Sequence, residues 1–138
     1  MRRVGWAIIL LGIAYALPAM AAGVYLYDLI KKPAYARSLK ALLKDAKEPD
    51  FPFWLPNLLS TRGDYVSGPV DYVTVEGVTY GMINACKPHQ CDDSRIEVMF
   101  APNGTQAWGG VYQFGKPITW LGTPSAAQQE AMTPPLQP

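Results

Sequence analysis

The chain has 138 residues, with 12 lysines and arginines against 11 aspartates and glutamates, one histidine and two cysteines. That length suits a single domain able to bury a core without added staples, and 49% apolar against 17% charged residues excludes a disordered chain. The near-neutral balance excludes a nucleic-acid binder that works by neutralising many phosphates, and so few histidines and cysteines leave little material for a metal or nucleophile cluster.

Arg2-Arg3 precedes an uncharged, mostly apolar run from Val4, broken at Pro18 and followed by the small-residue site Ala19-Met20-Ala21. This is the layout of a secretory signal peptide cleaved after Ala21. It assigns residues 1–21 to a leader and residues 22–138 to one mature domain, in which ten cationic side chains face eleven acidic ones. The competing reading is an uncleaved anchor, because no charge interrupts the run from Val4 to Tyr27, which is long enough to span a bilayer. Membrane contact is expected only in that case. Either way the rest of the chain is exported, and in a bacterial source it reaches the periplasm, where a disulfide can persist.

In the mature part, Leu39, Leu42, Leu43 and Ala46 recur at helical spacing, with Arg37, Lys40, Lys44 and Asp45 on the other side. This predicts an amphipathic helix over 34–46, with Pro33 in its first turn and Pro49 helping to stop it. Phe51-Pro52-Phe53-Trp54-Leu55-Pro56 reads as a core plug between helix and sheet rather than a functional patch. Gly63-Asp64 and Ser67-Gly68-Pro69 mark loops. From Val70 the apolar period changes to two. Strands are predicted over 70–75 and 78–85, joined by a tight turn at Glu76-Gly77. Another is predicted over 95–101, where Ile96, Val98 and Phe100 alternate with Arg95, Glu97 and Met99. The turn Pro102-Asn103-Gly104 leads to a strand over 105–114, with Gly109-Gly110 as a bulge or a point of close backbone approach. A short last strand follows over 118–121. Thr123-Pro124-Ser125 caps a short helix through Met132, and three prolines within 133–138 predict a loose tail. The order implies an α+β fold, an antiparallel β-sheet of about five strands with helices packed on one face.

The chemistry is concentrated between two strands, in Cys86-Lys87-Pro88-His89-Gln90-Cys91-Asp92-Asp93. Both cysteines and the only histidine fall within six residues. Three readings compete. Cys86, His89 and Cys91 could ligate zinc, but a structural site wants four ligands from separated pairs and no second cluster exists. Redox or nucleophilic catalysis is the second reading, yet the spacing is not C-x-x-C and no triad partners adjoin His89. Asp92 and Asp93 could mimic a catalytic carboxylate pair, but neighbours on an extended chain point oppositely, which disfavours one shared site. The third reading is a disulfide from Cys86 to Cys91, a short ring that presents Pro88 and His89 in a fixed shape. The residues alone leave a bland local staple and a presentation loop nearly even.

The run Met82 to Cys91, followed by Arg95-Ile96-Glu97-Val98-Met99, resembles the inhibitor of vertebrate lysozyme (Ivy) family, whose hallmark is a C-K-P-H-D-C loop between two strands. The likeness extends more weakly to Phe53-Trp54-Leu55 and Trp120-Leu121-Gly122. It implies a periplasmic inhibitor without catalytic activity or cofactor, often a homodimer, whose partner is a c-type lysozyme. It also implies that His89 meets the enzyme's two catalytic carboxylates from a platform of Cys86, Lys87, Pro88 and Cys91. The chain departs from the pattern at Gln90, where the family has aspartate. A neutral, longer side chain there opens an alternative target, the cell's own lytic transglycosylases. A periplasmic adaptor whose loop is merely stapled is the reading from a different class.

Overall fold

The computed structural model describes residues 23–60 and 64–138, so the expected leader over 1–21 lies outside the described residues. A short helical turn, α1 (Leu26–Leu29), leads into α2 (Pro33–Leu43), which has Pro33 at its first position and buries Leu39, Leu42 and Leu43 as its spacing predicts. Each leucine so buried contributes roughly 2 kcal/mol. Arg37, Lys40 and Lys44 remain exposed. A 3-10 turn over Leu55–Leu59 then tucks Leu55 and Leu58 into the same core beside the buried Trp54.

The strands are β1 (Val66–Ser67), β2 (Asp71–Val75), β3 (Val78–Cys86), β4 (Ser94–Phe100), β5 (Ala107–Gln113) and β6 (Thr119–Leu121). All pairs are antiparallel, in the order β1-β3-β4-β5-β6, with β2 also paired to β3. The α+β reading therefore stands, and the sheet has six strands among the described residues rather than about five. The addition is the two-residue β1, too short to leave an alternating pattern. The tight turn between β2 and β3 is made by Glu76 and Gly77 at φ 50° and 79°. Two successive left-handed residues give the turn twist that matches a hairpin.

The expectation of helices on one face is corrected. Successive residues of a strand point to opposite faces, and here both faces are covered. Ile96, Val98 and Phe100 join the core under α1, α2 and the 3-10 turn. Met99 instead packs with Met82 and Met132, the last of these carried by α3 (Ala126–Leu136) on the other face. Two neighbouring glycines of β5 show the same division. A Cβ on Gly109 would lie 3.4 Å from Leu42 of α2, and one on Gly110 would lie 2.7 Å from Leu136 of α3. Gly110 is thus the point of close approach, and β4 and β5 pair without a bulge from Ser94–Gln113 to Phe100–Ala107.

The tail is also firmer than its prolines suggest. Ser125 caps α3, its Oγ accepting the Gln128 N–H at 3.2 Å while Gln128 Oε1 accepts the Ser125 N–H at 2.8 Å. The helix then continues through Pro134 and Pro135 to Leu136, which is fully buried. Asn84 Nδ2 donates to the Pro135 carbonyl and Arg95 Nε to the Leu136 carbonyl, at 3.3 and 3.2 Å. Sheet side chains satisfy the helix end, and the buried leucine anchors it.

Candidate functional site: the stapled loop between β3 and β4

Cys86 and Arg95 are the last residues paired across β3 and β4 at this end of the sheet. The seven residues from Lys87 to Asp93 must reverse the chain, and they do so in two turns. The Lys87 carbonyl accepts the Gln90 N–H at 3.0 Å, closing a turn with Pro88 second and His89 third. Proline's fixed φ suits the second position, and His89 takes φ 64°, the left-handed value that a type II turn demands at the third. The Gln90 carbonyl then accepts the N–H groups of Asp93 and Ser94 at 3.1 and 3.2 Å, which returns the chain to β4. The Cys86–Cys91 disulfide, with Cα atoms 5.0 Å apart, closes the first turn against the end of β3.

This geometry sorts the predicted site residues. His89 and Gln90 are exposed at the tip. Lys87, Pro88 and Cys91 are half-buried beneath them, and Cys86 is buried at the base. Asp92 and Asp93 are exposed on the return limb. With both sulfurs joined, neither cysteine offers a thiolate for a metal or for nucleophilic attack. Among the described residues no three His, Cys, Asp or Glu side chains gather where they could hold a metal ion.

The loop is braced from two sides. Trp54 Nε1–H donates to Ser94 Oγ at 2.8 Å inside the protein, fastening the start of β4 to the 3-10 segment. Lys87 Nζ sits 4.5 Å from the centre of the Phe53 ring, a cation–π contact. From the other side, the Phe114 N–H donates to the Asp93 carbonyl at 2.8 Å. Arg95 stacks over Tyr112 at 4.9 Å.

The exposure of Phe53, read as part of the core plug, and of Phe114, placed at the end of a strand, is not what the sequence predicts. Trp54 and Leu55 form the expected core plug, but Phe53 is 61% exposed and Phe114, at the end of β5, 76% exposed. A run of aromatics and prolines carries no period that would tell the inward ring from the outward one.

The loop protrudes rather than lining a cleft. A groove of about 590 Å³ between α2 and the 3-10 turn has an apolar floor of Ala41, Leu43, Pro56 and Leu59 and a cationic rim, and no loop residue lines it. The other buried polar cluster lies under α3. There Asn84 Nδ2 donates to Glu97 Oε2 at 2.9 Å. The Glu97 carboxyl is raised to about 7, chiefly by burial, with the Asn84 hydrogen bond opposing the rise and nearby Asp71 adding to it. Glu97 is 3% exposed, so it serves the packing of α3 and cannot meet a substrate.

Comparison with known proteins points the same way. The sequence profile of the family described as inhibitor of vertebrate lysozyme (Ivy) matches residues 34–136. A protein of Pseudomonas aeruginosa named inhibitor of vertebrate lysozyme is 31% identical over 84 residues, 61% of this chain and 50% of that protein. The Escherichia coli protein of the same name is also 31% identical over 84 residues, 57% of this chain and 52% of its own length. The chain spans about half the length of these curated relatives.

Proposed function

The chain belongs to the inhibitor of vertebrate lysozyme family, and from that premise we propose that it is an exported, periplasmic inhibitor of c-type lysozyme that plugs the enzyme's cleft with the Cys86–Cys91 loop. The observation that carries the reading is His89, exposed at the apex of a covalent ring in a left-handed conformation. Holding a histidine there costs about 1 kcal/mol that a glycine would not. Glycine would fill the position at less cost, but only histidine brings an imidazole to the apex.

The chemistry of the partner fits. A glycosidase works with two carboxyl groups, one ionised and one proton-donating. An imidazole can donate from one ring nitrogen to the carboxylate, and either accept from the acid or donate to it from the other. Insertion also blocks the saccharide site. The disulfide and Pro88 fix the loop beforehand, so little conformational entropy is lost on docking. Asp92 and Asp93 beside the tip suit the basic rim of a lysozyme. Lys87, whose charge is of the wrong sign for such a partner, is drawn onto the chain's own Phe53 ring.

Gln90 supports a second target. It is exposed next to His89 and neutral where the family pattern is acidic, so it forms no ionic contact and favours a less basic cleft, such as that of a lytic transglycosylase. Lysis of a cell-wall suspension by each enzyme type, with wild type and His89→Ala, tests both. Inhibition lost with His89→Ala is the expected result. No inhibition of either enzyme at micromolar protein contradicts the proposal.

A further inference from the structure

The family resemblance is specific only at the ring, but the ring does not stand alone on its end of the molecule. Phe53 and Phe114 are among the most exposed large apolar side chains of the described residues. Both touch the loop. Phe53 lies under the Lys87 ammonium at 4.5 Å, and Phe114 hangs from Asp93 by a 2.8 Å hydrogen bond between backbones. Lys87 opens the loop and Asp93 closes it. One exposed phenylalanine therefore adjoins each limb of the loop.

We infer that Phe53 and Phe114 form, with the loop, one composite docking surface, and that the partner is an enzyme whose acidic cleft is bordered by apolar walls on both sides. This rests on the reading of the loop as a cleft plug. Three observations carry it. The two residues come from different parts of the chain, one before the 3-10 turn and one just after β5, yet each adjoins a limb of the same loop. Each is held near the loop by a contact that leaves its side chain largely exposed: Phe53 lies beneath the Lys87 ammonium, and Phe114 is tied by its main chain. Exposed phenyl rings beside a specific polar contact also offer the large apolar area that gains most from burial against a partner. The required partner chemistry follows. A cleft that binds polysaccharide presents apolar platforms beside its carboxylates, and the rings would cover them while His89 meets the acids. His89 would then select for acidic chemistry, and the phenyl rings for the width of the cleft.

The test is a titration of c-type lysozyme and of a lytic transglycosylase with the full chain and with Phe53→Ala, Phe114→Ala and the double variant, alongside His89→Ala. Melting temperature and non-reducing mass verify that each variant is folded and stapled. Because both rings are exposed, folding is expected to survive. Each single substitution should weaken inhibition about tenfold or more, mainly through faster dissociation, and the double more than either. Wild-type inhibition by the folded double variant, with loss in His89→Ala, overturns the composite surface and leaves the plug intact. Failure of the wild type to inhibit either enzyme overturns both. If the rings prove to drive self-association, seen as a concentration-dependent mass that the double variant abolishes without loss of inhibition, the surface belongs to a second copy and the inference falls.

Discussion

Strand β3 is reversed at both its ends, and the two reversals differ in every respect that matters. At its start, Glu76 and Gly77 turn the chain in two residues, with no covalent aid and a glycine at one of the two left-handed positions. At its end the chain uses seven residues, a disulfide, a proline and a histidine at φ 64°. The first is close to the shortest solution for joining antiparallel strands. The second is longer than the sheet requires, and it is held together by bonds that a two-residue turn would not need. The excess is invested in presentation, so the two ends should respond differently to the same kinds of change.

The largest effect is expected from Cys86→Ser with Cys91→Ser. Opening a ring of this size should cost about 2 kcal/mol of stability, while the inhibition constant against lysozyme should rise by about a hundredfold, because the loop must then be ordered on binding. Unchanged inhibition by the opened loop would remove the distinction between the two turns. A change away from both turns should alter stability alone. Glu97 has a folded pKa raised to about 7 against an ordinary 4.5, so the folded protein holds a proton that the unfolded chain has already released between these values. Its effect on stability is absent below about pH 4.5, grows as pH rises to about 7 and is constant above. The loss is of order 3 kcal/mol. Glu97→Gln should flatten denaturant midpoints over that window and leave inhibition at a fixed pH unaltered. A slope as steep in the variant as in the wild type would contradict this assignment. The smallest effect belongs to the short turn. Gly77→Ala, at φ 79° with open space around it, should cost about 1 kcal/mol with no change in inhibition. Weaker inhibition from this folded variant would mean that the two ends of β3 are not separable.

Much of this architecture was legible in the residues. The leucines of α2 and the alternation of Ile96, Val98 and Phe100 identify their elements because one face of each is uniformly apolar. The side of the sheet that α3 covers was not legible. Met82 and Met99 share that face with Asn84, Glu97 and Arg95, a polar set whose burial follows only once the end of α3 bonds Asn84 and Arg95 and Asn84 bonds Glu97. Pro134 and Pro135 suggested a loose tail for a similar reason, since the anchoring contacts of Leu136 come from residues far along the chain. At the site, spacing announced the ring and proline announced a turn. The exposure of Phe53 and Phe114 depends on tertiary placement, to which a pattern of neighbours is blind.

One paired measurement reaches the central claim most directly: thermal melting and lysozyme titration of His89→Gly beside the wild type. Glycine relaxes the left-handed residue and removes the imidazole with its methylene, while the disulfide and Pro88 still hold the turn. The account predicts a variant that melts no lower than the wild type, keeps its disulfide and no longer inhibits. A stable, stapled His89→Gly that inhibits as strongly as the wild type would contradict it.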